Sequence, residues 1–225
     1  MARRPVEVAT LVSVVDDRRA RDDLRRYFAT RADGSFQYTG ARFDTLGRDY
    51  DNHDKITATD IVAVQTLSVV VPGQVAIDLL EGPLGHGLSR LLQKVPHDVE
   101  LGTSAAAEHV RDKGPADKAW RLLDACHGVG WVIAGKILAR KRPKLLPIYD
   151  GVVKCAFGSP KSFWQYLDER LQEDGGLLRA AISRLRRDTG TPSAISDIRM
   201  LDIVLWMRHR PGHTTYRCQG LRSAP

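Results

Sequence analysis

Glycine and proline interrupt the sequence at short intervals from residue 57 onward, and this punctuation limits the fold to a set of short helices. Within the intervals, apolar residues recur at helical spacing, as in Ile61-Val62-Ala63-Val64 after the capped start Thr57-Ala-Thr-Asp60. Further helix caps are predicted at Thr103 or Ser104 and at Ser196 or Asp197. The breaks fall at Pro72-Gly73, Gly82-Pro83, Gly114-Pro115 and Gly175-Gly176. The pattern therefore predicts a mainly α fold.

The N-terminal region, residues 1–50, has a different pattern, and a small β element is predicted there. The valine-rich residues 6–15 favour a strand or a buried segment, and residues 16–29 favour a helix. Asp33-Gly34 marks a turn of the kind found in hairpins. Three aromatic residues follow this turn, namely Phe36, Tyr38 and Phe43. They either cover the edge of the core or stack on bases, and the core edge is the favoured alternative.

Length and charge set broad limits on organisation and partners. The 225 residues suit one compact helical domain, residues 1–225, with a frayed basic tail at residues 211–225. Lys and Arg number 34 against 27 Asp and Glu, and the net charge of +7 favours a polyanionic partner such as nucleic acid. No apolar run is long enough to span a bilayer, so we expect no membrane partner. We expect a cytoplasmic protein, nucleoid-associated in a prokaryote; the oligomeric state stays open, with a monomer favoured.

The cysteines are few and scattered. Cys126, Cys155 and Cys218 form no Cys-x-x-Cys pair, and no Cys/His ligand spacing stands out. We therefore expect no disulfide framework, no metal site and no cofactor.

A glycine turn within residues 116–157 joins two helical segments. Gly128 and Gly130 flank Val129, and because glycine tolerates positive φ and lacks a Cβ, another backbone can approach closely. The N–H groups that open the following helix can bind a phosphate oxygen. A structural corner between two helices is the alternative role.

Cations follow this turn along the second helix and its exit. They are Lys136, Arg140, Lys141, Arg142 and Lys144. Such a cluster can neutralise a nucleic-acid backbone, and it can equally be a solvated face.

Asp150 occurs where the next helix is predicted to begin. Pro143 and Pro147 precede it and favour an extended crossing segment. Asp150 can act as the N-cap of a helix that extends to Phe157, or it can be a carboxylate held beside a phosphate-binding turn.

These features together resemble the helix-hairpin-helix superfamily of base-excision DNA glycosylases, most closely the adenine-mismatch branch. The resemblance covers residues 120–157 and rests on Gly128-Val129-Gly130, on Ala134-Gly135 with Ile137-Leu138, and on Pro147-Ile148-Tyr149-Asp150-Gly151-Val152-Val153-Lys154. It implies a two-lobed helical bundle that acts on double-stranded DNA. It implies that Asp150 stabilises an oxocarbenium-like sugar or activates water. The DNA contacts that it implies are Gly128, Val129, Gly130, Trp131, Lys136 and Lys154.

The sequence departs from the family pattern at several positions. Cys126-His127 replaces the usual Leu-Pro before the turn, and the cluster-binding cysteines of many relatives are absent. Val132 and Arg121 occupy the two sites where some members have a Schiff-base lysine, so the resemblance implies a monofunctional glycosylase. Candidates for a second carboxylate are Asp44, Asp60 and Glu81.

Other aromatic and histidine residues are assigned ordinary roles. Trp131, Trp164 and Trp206 fall on apolar helix faces and favour core packing, although Trp131 is also a candidate DNA contact. His127 is favoured as a plain helix-end residue. Two alternatives to the enzyme stay open: a non-catalytic DNA-binding relative in which Asp150 caps a helix, and an unrelated helical protein whose glycine turn is structural.

Overall fold

Helices dominate both halves of the sequence. The computed structural model describes residues 5–47, 52–213, 218, 220 and 221. In chain order the helices are α1 (Val8–Asp16), α2 (Arg18–Phe28), α3 (Ala58–Gln65), α4 (Gly73–Glu81), α5 (Pro83–Leu92), α6 (Ala107–Val110), α7 (Pro115–Asp124), α8 (Gly130–Lys141), α9 (Gly151–Ala156), α10 (Phe163–Gln172), α11 (Leu177–Thr189) and α12 (Asp197–His209). The prediction of a mainly α chain is confirmed. Within the part of the chain that the structure describes, no helix has the length and apolar character needed to cross a membrane.

The residues cluster into two compact units. Unit 1 comprises Met1–Tyr38, Leu101–Ser104 and Ile148–Pro225, and unit 2 comprises Thr39–Glu100 and Ala105–Pro147. The single domain expected for residues 1–225 stays a prediction. The glycine turn belongs to unit 2, whereas Asp150 belongs to unit 1.

The predicted β element of the N-terminal region is reduced, among the residues that the structure describes, to one bridge across the predicted Asp33-Gly34 turn, and no strand forms there. The valine-rich segment forms α1, and a single antiparallel bridge between Thr30 and Phe36 is the only β pairing described there. Val8, Leu11 and Val15 recur at helical spacing and are buried, so a helix satisfies their burial despite the β preference of valine. Residues 1–4 and 48–51 of this region lie outside the described residues.

Helix α12 occupies the centre of unit 1 and packs against α1, α2, α9 and α11. Its residues are buried on nearly every side, as expected of a central helix. Ser196 caps it, because the Ser196 hydroxyl accepts a hydrogen bond of 3.2 Å from the Arg199 N–H. The predicted cap at Ser196 is confirmed.

In unit 2, α7 and α8 pack against each other, and the glycine turn connects them. Thr57 and Asp60 form a capping box at the start of α3, as predicted. The cap predicted at Thr103 or Ser104 is wrong, since α6 begins later and its N-cap residue, Ala106, has no capping side chain.

The predicted basic tail, residues 211–225, falls mostly outside the described residues. Arg210–Gly212 forms a short 3-10 turn directly after α12. Cys218 is described beyond it, whereas residues 214–217, 219 and 222–225 are not.

Candidate nucleic-acid interface

The glycine turn presents exposed backbone at the start of α8. Gly128 and Gly130 have φ values of 80° and 60°, which side chains disfavour. Both glycines are exposed, whereas Val129 between them is buried and anchors the turn. A Cβ on Gly128 would lie 3.1 Å from Pro72 Cγ, whereas a Cβ on Gly130 would meet nothing within 4 Å. Gly128 is therefore required for both space and conformation, and Gly130 for conformation alone.

No side chain caps the first turn of α8. The N–H groups at a helix N-terminus lack intrahelical partners and carry partial positive charge. Nearby, the Val129 N–H donates to the Cys126 carbonyl at 3.1 Å, which closes the turn itself. Trp131 is half-buried, and its carbonyl accepts a hydrogen bond of 3.3 Å from Trp120 Nε1. The turn can thus offer backbone donors to an anion.

The cations of α8 bind groups inside unit 2. Lys136 Nζ donates to the Leu67 carbonyl at 2.9 Å. The Asp60 carboxylate of α3 forms two ion pairs. Arg140 Nε donates to one of its oxygens at 2.9 Å, and Lys141 Nζ donates to the other at 2.8 Å. Each of these cationic side chains belongs to a buried residue. Arg140 and Lys141 therefore link α8 to α3, and Lys136 links α8 to the segment that follows α3.

Arg142, just after α8, is also buried and bonded internally. Its guanidinium donates to the carbonyls of Val95 at 2.6 Å and His53 at 2.9 Å, and it pairs with Asp54. Lys144 is exposed and lies 3.3 Å from a carboxylate oxygen of Glu100. Four of the five cations of the cluster are therefore buried and bonded inside unit 2, and Lys144 alone of the five is exposed. The ammonium group of Lys136 is enclosed and bonded to a carbonyl, and its DNA contact stays a prediction.

The three candidate second carboxylates all belong to unit 2. Asp60 serves the capping box and the buried ion pairs. Desolvation raises its pKa, but hydrogen bonds from Lys141 and Arg140 outweigh it and hold the pKa below the ordinary 3.8. Asp44 is buried and Glu81 is exposed at the end of α4. Asp60 is therefore ionised at neutral pH and has a structural role, which does not suit it to be a proton donor there.

Asp150 caps α9 with one of its carboxylate oxygens. Oδ1 accepts hydrogen bonds of 3.0 Å from the N–H groups of Val152 and Val153. None of the described residues donates a hydrogen bond to Oδ2, and the side chain is half-buried. The predicted N-cap is confirmed, and one oxygen remains for another partner.

The chain around Asp150 is held by packing within unit 1. Tyr149 stacks on Phe163 with ring centroids 3.8 Å apart, and burial raises the pKa of the Tyr149 hydroxyl. Lys154, predicted as a DNA contact, is an exposed residue of α9 whose N–H donates to the Asp150 carbonyl at 2.7 Å. The carboxylate therefore sits on a fixed backbone.

The two positions considered for a Schiff-base lysine carry no usable amine. Val132 is half-buried in α8. Arg121 is exposed, and its hydrogen bond to Asp117 raises the pKa of the guanidinium above its ordinary value. A guanidinium that stays protonated cannot act as an amine nucleophile.

Trp164 and Trp206 belong to unit 1. Trp206 meets Tyr27 and Tyr38 edge-on, and the Arg210 guanidinium lies 4.9 Å from its ring centroid. Trp164 is half-buried in α10. Trp206 is likewise half-buried, with one face against these aromatic rings.

Unit 1 also brings together a group of residues that sequence analysis missed. The ligand atoms of Cys155, His209, His213 and Cys218 all lie within 4.8 Å of one another. Cys155 is far from the other three in sequence, so only the fold completes the group. The spacing His209-x-x-x-His213 followed by Cys218 is the one signal that the sequence carried.

Comparison with known proteins gives one match. A family model described as a family of unknown function (DUF6308) matches residues 20–209. No curated protein and no solved structure matches the chain.

Proposed function

The chain belongs to the DUF6308 family, and since the function of that family is unknown, we propose one from the residues themselves. We propose that the protein binds double-stranded DNA through the turn Gly128-Val129-Gly130. We further propose that it hydrolyses the N-glycosidic bond of a damaged or modified base, with Asp150 as the catalytic carboxylate. The observation that carries the proposal is the exposed glycine turn that leads into the uncapped start of α8.

The turn would bind a backbone phosphate through main-chain N–H groups. The buried Val129 fixes the turn, and exposed glycines on either side leave no Cβ between the backbone and the phosphate. Because the cations of α8 are occupied internally, this contact depends on oriented backbone dipoles more than on side-chain charge.

The chemical step follows from a carboxylate with one available oxygen. An enzyme of this kind rotates the target nucleotide out of the base stack, at a cost of a few kcal/mol. As the bond from the sugar to the base breaks, positive charge develops on the sugar, and the Asp150 carboxylate would stabilise it. The base departs with the electrons of the broken bond, water adds at the sugar carbon, and the proton that the water loses is taken up by the base. No covalent amine intermediate is involved.

DNA binding is tested with a matched pair of variants at Gly130. Asn and Asp have the same size and both tolerate left-handed backbone, and a Cβ at this position meets no neighbour. Gly130→Asp adds a negative charge where the phosphate would bind, whereas Gly130→Asn does not. We expect fluorescence anisotropy of a labelled duplex at low salt to show about tenfold weaker binding for Gly130→Asp than for Gly130→Asn, a difference that salt reduces. Equal affinities, or no binding by the wild-type protein, would reject the interface.

Excision is tested on duplexes that carry uracil, hypoxanthine, alkylated purines, oxidised-guanine mismatches or phage-type modified bases. Abasic products are cleaved with alkali and resolved by size. Asp150→Asn retains a side chain that caps helices as well as aspartate does but lacks the negative charge. Excision by the wild-type protein that disappears in Asp150→Asn, with unchanged duplex binding, supports the catalytic role; excision that survives in the variant refutes it.

A non-catalytic DNA-binding protein is the second candidate. The two hydrogen bonds that Asp150 Oδ1 accepts at the start of α9 favour it, because a cap alone explains why aspartate occupies this position. Salt-dependent duplex binding without excision of any of these bases would select this candidate.

A further inference from the structure

Four metal-ligating side chains of unit 1 converge at the end of α12. Cys155 lies in α9, His209 is the last residue of α12, and His213 and Cys218 follow it. Their ligand atoms fall within 4.8 Å of one another. The distance from His209 Nε2 to Cys218 Sγ is 3.4 Å. We propose that this group binds one Zn²⁺ as a structural Cys₂His₂ site.

The spacing fits tetrahedral zinc. Zinc bonds of about 2.3 Å to sulfur and about 2.0 Å to nitrogen give an S···N edge of about 3.5 Å in a tetrahedron. The 3.4 Å separation of His209 Nε2 and Cys218 Sγ matches that edge. No two of the four ligand atoms are more than 4.8 Å apart, and this limit is about 1 Å longer than the S···S edge of such a site. Movements of about 1 Å would therefore bring the ligands to tetrahedral spacing.

The chemistry of the ligand set selects the metal. Two thiolates and two imidazoles favour zinc over calcium and magnesium, which prefer oxygen. Two thiolates also neutralise the charge of Zn²⁺, which suits a site formed partly by the buried residues Cys155 and His209. Since four protein ligands fill the tetrahedron, no position is left for water, and the site is structural rather than catalytic.

The cluster contains an unsatisfied polar atom. His213 Nδ1 is buried, and no described group hydrogen-bonds to it. A buried imidazole nitrogen without a partner is costly, and a bond from His213 Nδ1 to the metal would remove that cost. A disulfide between Cys155 and Cys218 would leave the convergence of the two histidines unexplained.

Zinc here would fix the helix that Asp150 caps. Cys155 is in α9, so a bond from its sulfur to a metal held by His209 joins α9 to the end of α12, two helices that already pack together. The same metal holds Cys218 against this pair. The zinc site does not rest on the proposed DNA contact and stands even if the protein does not bind DNA.

The first experiment measures metal in the protein as purified. Elemental analysis is expected to give about one Zn²⁺ per chain, and removal by a chelator is expected to lower the melting temperature, with recovery when Zn²⁺ is returned. Replacement by Co²⁺ is expected to produce the visible absorption and thiolate charge-transfer bands of tetrahedral cobalt. A chelated protein that melts as before and takes up neither ion would overturn the proposal.

Variants then assign the ligands. His213→Gln and Cys218→Ala change half-buried residues and should leave the chain folded, but they should reduce zinc content to well below one per chain and remove the cobalt spectrum. Cys126→Ala and His86→Ala are the matched controls from unit 2 and should retain zinc. Equal zinc loss in ligand and control variants contradicts this assignment, as does thiol titration that finds Cys155 and Cys218 already oxidised in the protein as purified.

Discussion

At the scale of single residues, Asp60 has two structural roles in unit 2. It neutralises Arg140 and Lys141 in a buried setting and also completes the capping box of α3. Asp60→Asn leaves two buried cations without their carboxylate, and we expect a loss of about 3–5 kcal/mol in the free energy of unfolding. Urea denaturation measures the loss. Asp22→Asn removes the carboxylate of the exposed pair with Arg25 and should change stability by about 0.5 kcal/mol or less; similar losses in both variants would contradict the role of burial.

The same carboxylate predicts the acid dependence of stability. Because hydrogen bonds from Lys141 and Arg140 hold the folded pKa of Asp60 below 3.8, its ionised form stabilises the fold above the unfolded pKa. That contribution is lost as pH falls through the folded pKa. The stability difference between wild type and Asp60→Asn should therefore be constant above about pH 5 and shrink below about pH 4. Denaturation curves from pH 7 to pH 3 check this, and a difference that does not vary with pH would show that Asp60 ionisation is not the source.

At the scale of elements, α9 depends on Asp150 for its first turn. The helix is only six residues long, and Asp150 Oδ1 satisfies two of its N-terminal N–H groups. Asp150→Ala should cost about 1 kcal/mol of stability, whereas Asp150→Asn should cost only a few tenths. Chemical denaturation of both variants distinguishes them. An Asn variant as unstable as the Ala variant would mean that the charge of Asp150, rather than its cap, stabilises the fold.

Features that depend on neighbouring residues could be predicted from the sequence better than features that depend on contacts between distant residues. The caps at Thr57, Ser196 and Asp150 were predictable because a cap depends on residues within three positions of it. The helix α1 was not, since β propensity competed with an apolar spacing that only packing could resolve. The hydrogen bonds and ion pairs of the α8 cations could not be predicted either, because their partners, such as Leu67 and Asp60, are distant in sequence.

At the scale of the whole molecule, net charge is a poor guide to where DNA could bind. The chain carries a charge of +7. Three of the cations that follow the glycine turn, Lys136, Arg140 and Lys141, nevertheless bond to a carbonyl and a carboxylate inside unit 2. A cation that touches no phosphate releases no counterion when DNA binds. Its removal should therefore leave the salt dependence of binding unchanged, although it destabilises the protein.

Lys136→Met tests this distinction directly. Methionine keeps the apolar stem and removes the ammonium group that donates to the Leu67 carbonyl, so the variant should lose about 1–3 kcal/mol of stability. Its slope of log affinity against log salt should equal that of wild type when a labelled duplex is titrated well below the melting temperature. If the slope instead became less negative by about 0.9, Lys136 would be a phosphate contact, and the buried position of its side chain could not persist in the complex. An unchanged slope excludes Lys136 as a phosphate contact, so that this residue, about 1.7 turns after Gly130 in α8, contributes only to folding, as the proposed contact through the turn backbone requires.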